Sequence, residues 1–146
     1  MATVKTLLDT KGRQVWYITP GAPVIEALKI LRDRKIGALV VLQGSQIVGI
    51  FSERDFARNA PNCQQCDITS PVSNFMTSIV LGVQENEALE NCMAIMSEKH
   101  IRHLPVVDAQ GQLCGIISIG DVIKQLILDR EENIQYLEEY IWVNMI

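Results

Sequence analysis

Two serine–aspartate pairs with identical spacing are the residues best suited to chemistry in this chain of 146 residues. Residues 49–55 read G-I-F-S-E-R-D and residues 115–121 read G-I-I-S-I-G-D. Each motif follows an apolar run and precedes a helical pattern, so it occupies a strand-to-helix turn. At such a turn the first N–H groups of the helix attract an anion, and an acidic residue can bind the hydroxyls of a ribose. The pattern therefore predicts two related sites for a ligand that carries ribose and phosphate.

A purely structural explanation of the same residues stays open. Ser52 and Ser118 are good helix N-cap residues, and Asp55 and Asp121 stand in a first helical turn, where the helix dipole favours a negative charge. Duplication preserves structural features as well as binding sites. The repeat alone therefore does not decide between a cap and a ligand site.

The composition favours a folded protein without affinity for nucleic acid or membranes. Hydrophobic residues make up 48% and charged residues 21% of the chain, which is sufficient for a core. The net charge is −4 and no cluster of Lys and Arg stands out, which argues against a nucleic-acid groove. The apolar runs are shorter than the roughly 20 residues of a membrane span, and no signal-peptide pattern is present at the start. We therefore expect a cytoplasmic protein.

Other reactive residues form weaker patterns. Cys63 and Cys66 have the spacing of a metal knuckle or redox pair, but no second close pair of Cys or His completes a zinc site. Cys92 and Cys114 lie in apolar patterns that are typical of small core residues. Neither serine–aspartate pair has a histidine nearby to activate a nucleophile. We therefore predict no metal site and no enzyme activity.

Both motifs are placed by the same order of predicted elements. The first repeat spans residues 15–59, with a strand over 14–18, an amphipathic helix after Pro23, strands over 37–42 and 46–51, and a helix over 53–59. The second repeat spans residues 75–128, with strands over 79–83, 104–107 and 112–117, a helix over 88–99, and a helix that starts near Gly120.

This duplicated order predicts an α/β (α+β) fold. Two β-α-β-β-α repeats pack as a pseudo-twofold pair, and a long helix ends the chain. The remaining segments are an N-terminal segment over 1–14, a polar linker over 60–74 and a helical tail over 129–146. The tail is apolar, so it either packs on its own domain or wraps a partner subunit.

The chain resembles a tandem pair of cystathionine-β-synthase (CBS) domains, also called a Bateman module, over about residues 4–128. The blocks that carry the resemblance are residues 36–41, 49–55, 75–77, 101–108 and 115–121. The start and tail are similar to a subgroup of stand-alone bacterial proteins. The resemblance implies that an adenosyl ligand binds in the cleft between the repeats: AMP, ADP, ATP, the adenosine part of NAD, or S-adenosylmethionine.

The resemblance also implies which residues form two such clefts. The first, which we call the Asp121 cleft, would use Asp121 on ribose, Ser118 near phosphate, Ile116 against the base, and Ile36, Gly37 and Ala38 as the adenine wall, with Arg102 and His103 as a basic pair near phosphate. The second, the Asp55 cleft, would use Asp55, Ser52, Arg54 and Ile50, walled by Ile101, Arg102 and His103.

The sequence departs from the family just before the first helix of each repeat, where many members carry Ser or Thr. Thr19 and Lys11 are possible replacements. Glu87 could repel a phosphate in the Asp55 cleft, so the Asp121 cleft is expected to be the better site. Arg54 stands where the second motif has Gly120, so the two clefts are expected to differ in phosphate preference.

The leading functional prediction is a non-catalytic regulatory module that senses energy or redox state through an adenosine-containing ligand. We expect a homodimer, and a regulated protein that is still unidentified. The alternative is a protein-interaction scaffold with vestigial clefts, for which the apolar tail is the motivation.

Overall fold

The computed structural model describes residues 2–62, 64, 67–78 and 82–129, and it confirms the α+β class. Two sheets and five α-helices make up this part of the chain. The helices are α1 (Val4–Lys11), α2 (Val24–Arg34), α3 (Glu53–Asn59), α4 (Leu89–Lys99) and α5 (Ile119–Asp129). The strands are β1 (Tyr17–Ile18), β2 (Ala38–Gln43), β3 (Gln46–Ser52), β4 (Thr77–Ser78), β5 (Val83–Gln84), β6 (His103–Val107) and β7 (Leu113–Ser118).

The two repeats use the same sheet plan. The first sheet has the order β1-β2-β3-β4 and the second the order β5-β6-β7. In each, a short strand runs parallel to the first strand of a hairpin, and the hairpin strands are antiparallel. Gly44 and Gly111 have positive φ in the two hairpin connections, a backbone conformation that glycine adopts without strain. The predicted pair of repeats is thereby confirmed.

The helix that precedes each hairpin ends in the same unusual way. α2 is followed by Lys35 at φ 54° and α4 by His100 at φ 55°, so both C-caps are left-handed residues other than glycine. Such a cap turns the chain sharply into the next strand. The segments that leave these two caps, residues 36–37 and 101–102, line the same cavity between the repeats.

Each core is completed by the segment that precedes the other repeat. Leu7 and Leu8 of α1 are buried with the core of the second repeat, beside Leu104 and Ile117. The core of the first repeat in turn contains Val72 and Phe75 from the second half of the chain. Backbone bonds fix both crossings: Val4 N–H donates to Glu87 C=O at 3.0 Å, and Val72 N–H to Ala22 C=O at 2.9 Å. The two repeats are therefore interlocked.

Three features differ from the sequence prediction. Helix α1 lies in what was predicted only as an N-terminal segment, and strand β4 was not predicted. Strand β1 covers only Tyr17–Ile18, because just these two residues pair with β2. The predicted tail beyond Asp129, the start of the predicted strand over 79–83, and Cys63 and Cys66 lie outside the described residues. None of the helices that are described has the length and apolarity needed to cross a bilayer.

Candidate functional site

A cavity of about 530 Å³ lies between the repeats at the Asp55 cleft. Its volume is in the range of small-molecule sites, roughly 300–1,000 Å³. The lining comes from the turn into α3, from β4 and from the two segments that follow the left-handed caps. The lining residues are Ile36, Gly37, Ile50, Ser52, Glu53, Arg54, Asp55, Arg58, Thr77, Lys99, His100, Ile101, Arg102 and His103. All seven residues predicted for the Asp55 cleft are among them.

Ser52 and Asp55 are held rigidly at the start of α3 by a capping box. The Asp55 N–H donates to Ser52 Oγ at 3.2 Å, and the Ser52 N–H donates to Asp55 Oδ2 at 2.9 Å. Thr77 Oγ1 donates to the other carboxylate oxygen, Asp55 Oδ1, at 2.8 Å. The capping explanation of the motif is therefore correct. It does not exclude ligand binding, because a carboxylate accepts more hydrogen bonds than these.

Positive charge surrounds this carboxylate. The cavity is lined by the exposed cations Arg54, Arg58, Lys99 and Arg102. Within the described part of the chain, none of these four forms an ion pair. The lining carries two carboxylates, Glu53 and Asp55, so cations are in excess. An excess of unpaired cations beside a helix N-terminus favours a phosphorylated ligand.

The inner wall is apolar and closely packed. Ile36, Ile50 and Ile101 supply aliphatic surface on which a planar base can stack. Gly37 lies close to the second repeat, since a Cβ there would be 3.3 Å from His103 Nε2 and the imidazole would have to shift by a few tenths of an ångström. Gly37 thus allows the second repeat to approach the first. Ile36 and Gly37, which were predicted for the Asp121 cleft, line the Asp55 cavity.

His103 lies between the two clefts. Burial lowers the pKa of His103, and the Lys11 ammonium lowers it further, while the carboxylates of Asp121 and Asp55 act in the opposite direction. The net shift is downward from 6.5, so the imidazole is neutral at pH 7. It therefore offers a ligand a hydrogen-bonding group without adding charge.

In the Asp121 cleft, the side chain of Lys11 lies on the motif aspartate. The Lys11 Nζ donates to Asp121 Oδ2 at 2.6 Å and to the Ile116 carbonyl at 2.7 Å. Ser118 repeats the capping geometry of Ser52, with its N–H 3.0 Å from Asp121 Oδ2 and its Oγ accepting from the Asp121 N–H at 3.1 Å. Burial raises the pKa of Asp121, but the Lys11 ammonium and the Ser118 N–H lower it more, so the pKa lies below its ordinary value.

Several predicted residues lie elsewhere. Ala38 is buried in β2 opposite Ser52, and Thr19 is exposed, with its carbonyl accepting from the Ala22 N–H. Neither lines the cavity. Glu87 does not line it either, because its carboxylate accepts from the Asn91 side chain. Within the described residues, the repulsion of a phosphate that was expected from Glu87 therefore has no source in the lining of this cavity.

Sequence reasoning missed one contact and five lining residues, which are Glu53, Arg58, Thr77, Lys99 and His100. Arg58 lies one helical turn after Arg54 and could have been found from that spacing. Lys99 directly precedes residues 100–103, and this position next to predicted site residues could have identified it as well. Thr77 carried no such signal, since its role depends on a strand pair with β3. The missed contact is the hydrogen bond from Lys11 to Asp121, which lie 110 positions apart in the sequence.

Comparisons with known proteins agree with this architecture. The solved CBS-domain containing protein ATU1752 from Agrobacterium tumefaciens superposes with a TM-score of 0.79 at 40% identity, covering 86% of this chain and 100% of that one. The CBS domain-containing protein YhcV of Bacillus subtilis is 32% identical over 122 residues, 84% of each chain.

Two other solved relatives carry adenosine compounds. CBSX2 in complex with AMP has a TM-score of 0.68 at 29% identity, covering 89% of this chain and 99% of that one. The CBS domain pair of MJ0100, in complex with 5′-methylthioadenosine and S-adenosyl-L-methionine, has a TM-score of 0.70 at 25% identity, covering 86% and 96%. The family profile of the CBS domain matches residues 8–62 and 72–128. The chain therefore belongs to the CBS domain family, as a tandem pair.

Proposed function

We propose that the chain is a non-catalytic regulatory module that binds an adenosine nucleotide in the Asp55 cleft. The observation that carries the proposal is the cavity between the repeats, which combines an apolar wall, the Asp55 carboxylate and cations that form no ion pair with any described residue. Relatives that hold AMP or S-adenosylmethionine support the adenosine part of the proposal. The cations support a phosphorylated ligand over S-adenosylmethionine.

Each part of a nucleotide has a matching group in this cleft. The base stacks between Ile50 and Ile101, and the ribose hydroxyls donate to the Asp55 carboxylate. The phosphate lies at the start of α3, near Ser52, and pairs with Arg102. The Ser52 hydroxyl donates to Asp55 Oδ2 at 3.0 Å and not to a histidine, which favours binding over nucleophilic catalysis.

The fluctuating pools of AMP, ATP and NAD make such a module an energy or redox sensor. A ligand that contacts both repeats favours the arrangement in which they are closed on it, and this shift is the signal. We propose that the signal passes to a regulated protein through a homodimer. Helix α5 offers the position for testing the dimer, since it buries Val122 and Leu126 on one face and leaves Leu128 52% exposed on another.

The test is titration calorimetry of the purified protein with AMP, ATP, NAD and S-adenosylmethionine. We expect binding of a phosphorylated compound and a rise in Tm with its concentration. Arg102→Ala removes an exposed, unpaired cation, so it should weaken AMP binding roughly tenfold or more, the value of a charge-assisted hydrogen bond, without lowering the Tm. It should leave the binding of adenosine unchanged.

The matched control is Arg32→Ala, which removes an exposed arginine that pairs with its neighbour Asp33 and does not line the cavity. It should bind AMP as the wild type does. Absence of binding for all four compounds at millimolar concentration would overturn the proposal and move attention to the scaffold alternative. Light scattering of the wild type and of Leu128→Asp tests the dimer, which this variant should dissociate.

A further inference from the structure

We propose that Lys11 closes the Asp121 cleft to nucleotides, so that each chain binds one ligand, in the Asp55 cleft. This inference rests on the proposed function, because it concerns the selection between its two clefts. It assigns to the N-terminal helix a role in specificity that the ligand motifs alone do not contain.

The first step is the identity of the groups that Lys11 holds. Its ammonium donates to Asp121 Oδ2 at 2.6 Å and to the Ile116 carbonyl at 2.7 Å. Asp121 is the carboxylate that a ribose would use, and Ile116 is the strand residue that would face the base. One side chain thus occupies both the ribose position and the strand edge beside the base position.

The second step is that Lys11 is fixed in this position. It is the last residue of α1, and the Gly12 N–H closes the helix by donating to the Leu8 carbonyl at 2.7 Å. Leu8 lies against Gly115, where a Cβ would come within 2.9 Å of Leu8 Cδ1. The end of α1 is therefore packed directly against β7, and the Lys11 side chain is about a third exposed, at 34%.

The third step is the contrast with the Asp55 cleft. There the Thr77 hydroxyl, a neutral donor, donates at 2.8 Å to Asp55 Oδ1, the carboxylate oxygen that does not accept the Ser52 N–H. Nowhere in the described ranges does a cation pair with Asp55. A ribose hydroxyl is a neutral donor too, so it can share Asp55 with Thr77. It competes poorly with the Lys11 ammonium for Asp121, because in that contact both the donor and the acceptor are charged.

The test measures the number of AMP molecules bound per chain by calorimetry. The wild type should bind one, and Lys11→Met, which keeps the apolar stem and removes the ammonium, should bind two. The affinity of the Asp121 cleft should rise at least about tenfold, the gain expected when one competing charge-assisted hydrogen bond is lost. The control Lys5→Met, on the same helix and with a 64% exposed side chain, should still bind one.

Two results would overturn the inference: a wild type that binds two AMP per chain, or a Lys11→Met variant that binds one or fewer while the wild type binds one. The second result would make Lys11 a ligand contact or an inert residue.

A second measurement needs no nucleotide, so it separates this inference from the proposed function. Amine-reactive labelling followed by mass spectrometry should modify Lys11 more slowly than Lys5 in the wild type. Asp121→Asn should raise the labelling rate of Lys11 and leave that of Lys5 unchanged. If neither protein bound AMP but Lys11 were protected through Asp121, the proposed function would fail and the closed cleft would stand. Equal labelling of Lys11 and Lys5 would reject the closed cleft.

Discussion

The edge of β3 at Gly49 and the edge of β7 at Gly115 bear the same motif but are covered by different segments. Strand β4 pairs with β3, with Ser78 opposite Gly49 and Thr77 opposite Ile50. On β7, the corresponding space is filled by α1, through Leu8 at Gly115 and Lys11 at Ile116. Both coverings place a donor on the motif aspartate, a hydroxyl in one case and an ammonium in the other.

This difference shows that a duplicated motif does not guarantee duplicated chemistry. The serine, the aspartate and the helix start are equivalent in the two repeats. The charge opposite the aspartate is not, because it comes from a segment outside the motif. The donor opposite each motif aspartate thus depends on how a segment outside the motif crosses over.

The largest expected effect compares the close approaches at the two glycines. In Gly49→Ala the new Cβ would lie 2.7 Å from the Thr77 carbonyl oxygen, which is backbone and cannot yield. In Gly115→Ala it would meet the flexible end of Leu8. We expect a loss of about 3 kcal/mol in the free energy of unfolding for Gly49→Ala and about 1 kcal/mol for Gly115→Ala. Urea denaturation measures both losses. Equal losses would mean that β4 and α1 yield equally to a new side chain.

The next effect concerns the neutral donor of the first repeat. Thr77→Val preserves the shape of the side chain and removes the hydroxyl that donates to Asp55. The expected loss is about 1 kcal/mol, the net value of a hydrogen bond to a partly buried group. Thr10→Val is the control, because it makes the same change at an exposed position. A Thr77→Val loss no greater than that of Thr10→Val would show that β4 needs no side-chain bond.

The contact between the Lys11 ammonium and Asp121 should make the free energy of unfolding depend on pH. Because the pKa of Asp121 in the folded protein is below its ordinary 3.8, the unfolded chain binds more protons near that pH. The stabilisation is present above about pH 4 and is lost as the pH falls through the folded pKa. The pair is about a third exposed and partly screened, so we expect less than about 1 kcal/mol.

Chemical denaturation of wild type and Asp121→Asn between pH 6 and about pH 3 checks this expectation. The difference in free energy of unfolding between them should shrink toward low pH. Lys11→Met should show a weaker pH dependence than the wild type in the same range. A constant difference between wild type and Asp121→Asn would count against an ionic contact.

The smallest effect is that of His103, which both clefts share. Its pKa lies below 6.5 in the folded protein, so the unfolded chain takes up a proton first as the pH falls. Stability should therefore decrease as the pH drops through 6.5, and level off below the folded pKa. His103→Gln should flatten this decrease in thermal unfolding curves. His100→Gln replaces an exposed histidine and should leave the decrease unchanged.

The repeat and its helices could be predicted because their signals are local. Apolar spacing, the hairpin turns and the serine caps all lie within about ten residues of the elements they define. Helix α1 also had a local signal, with Thr3 as its cap and Val4, Leu7 and Leu8 on one face, and it was overlooked. The two-residue strand β4 had none, since it exists only through its pairing with β3.

The site was predictable to the same extent. The Asp55 cleft residues follow from motif and resemblance, and the structure gathers them around one cavity. The contact of Lys11 with Asp121 was not predictable, because it joins residues 110 positions apart and depends on the packing of α1 against β7. The Glu87 contact, in contrast, is local, since Glu87 accepts from the Asn91 side chain four residues later.

Because the two cores are interlocked, they can form only in a certain order during synthesis on the ribosome. The first core cannot close until Phe75 has left the exit tunnel, which is well after the first hairpin is made. Helix α1 finds its first backbone partners only at Glu85 and Glu87, and its packing partners on β7 and at Leu126 follow at the end of the described chain. Domains generally fold as units from the N-terminus during synthesis. In this protein α1 instead waits for the second repeat, so its apolar face stays uncovered while the whole first repeat is made.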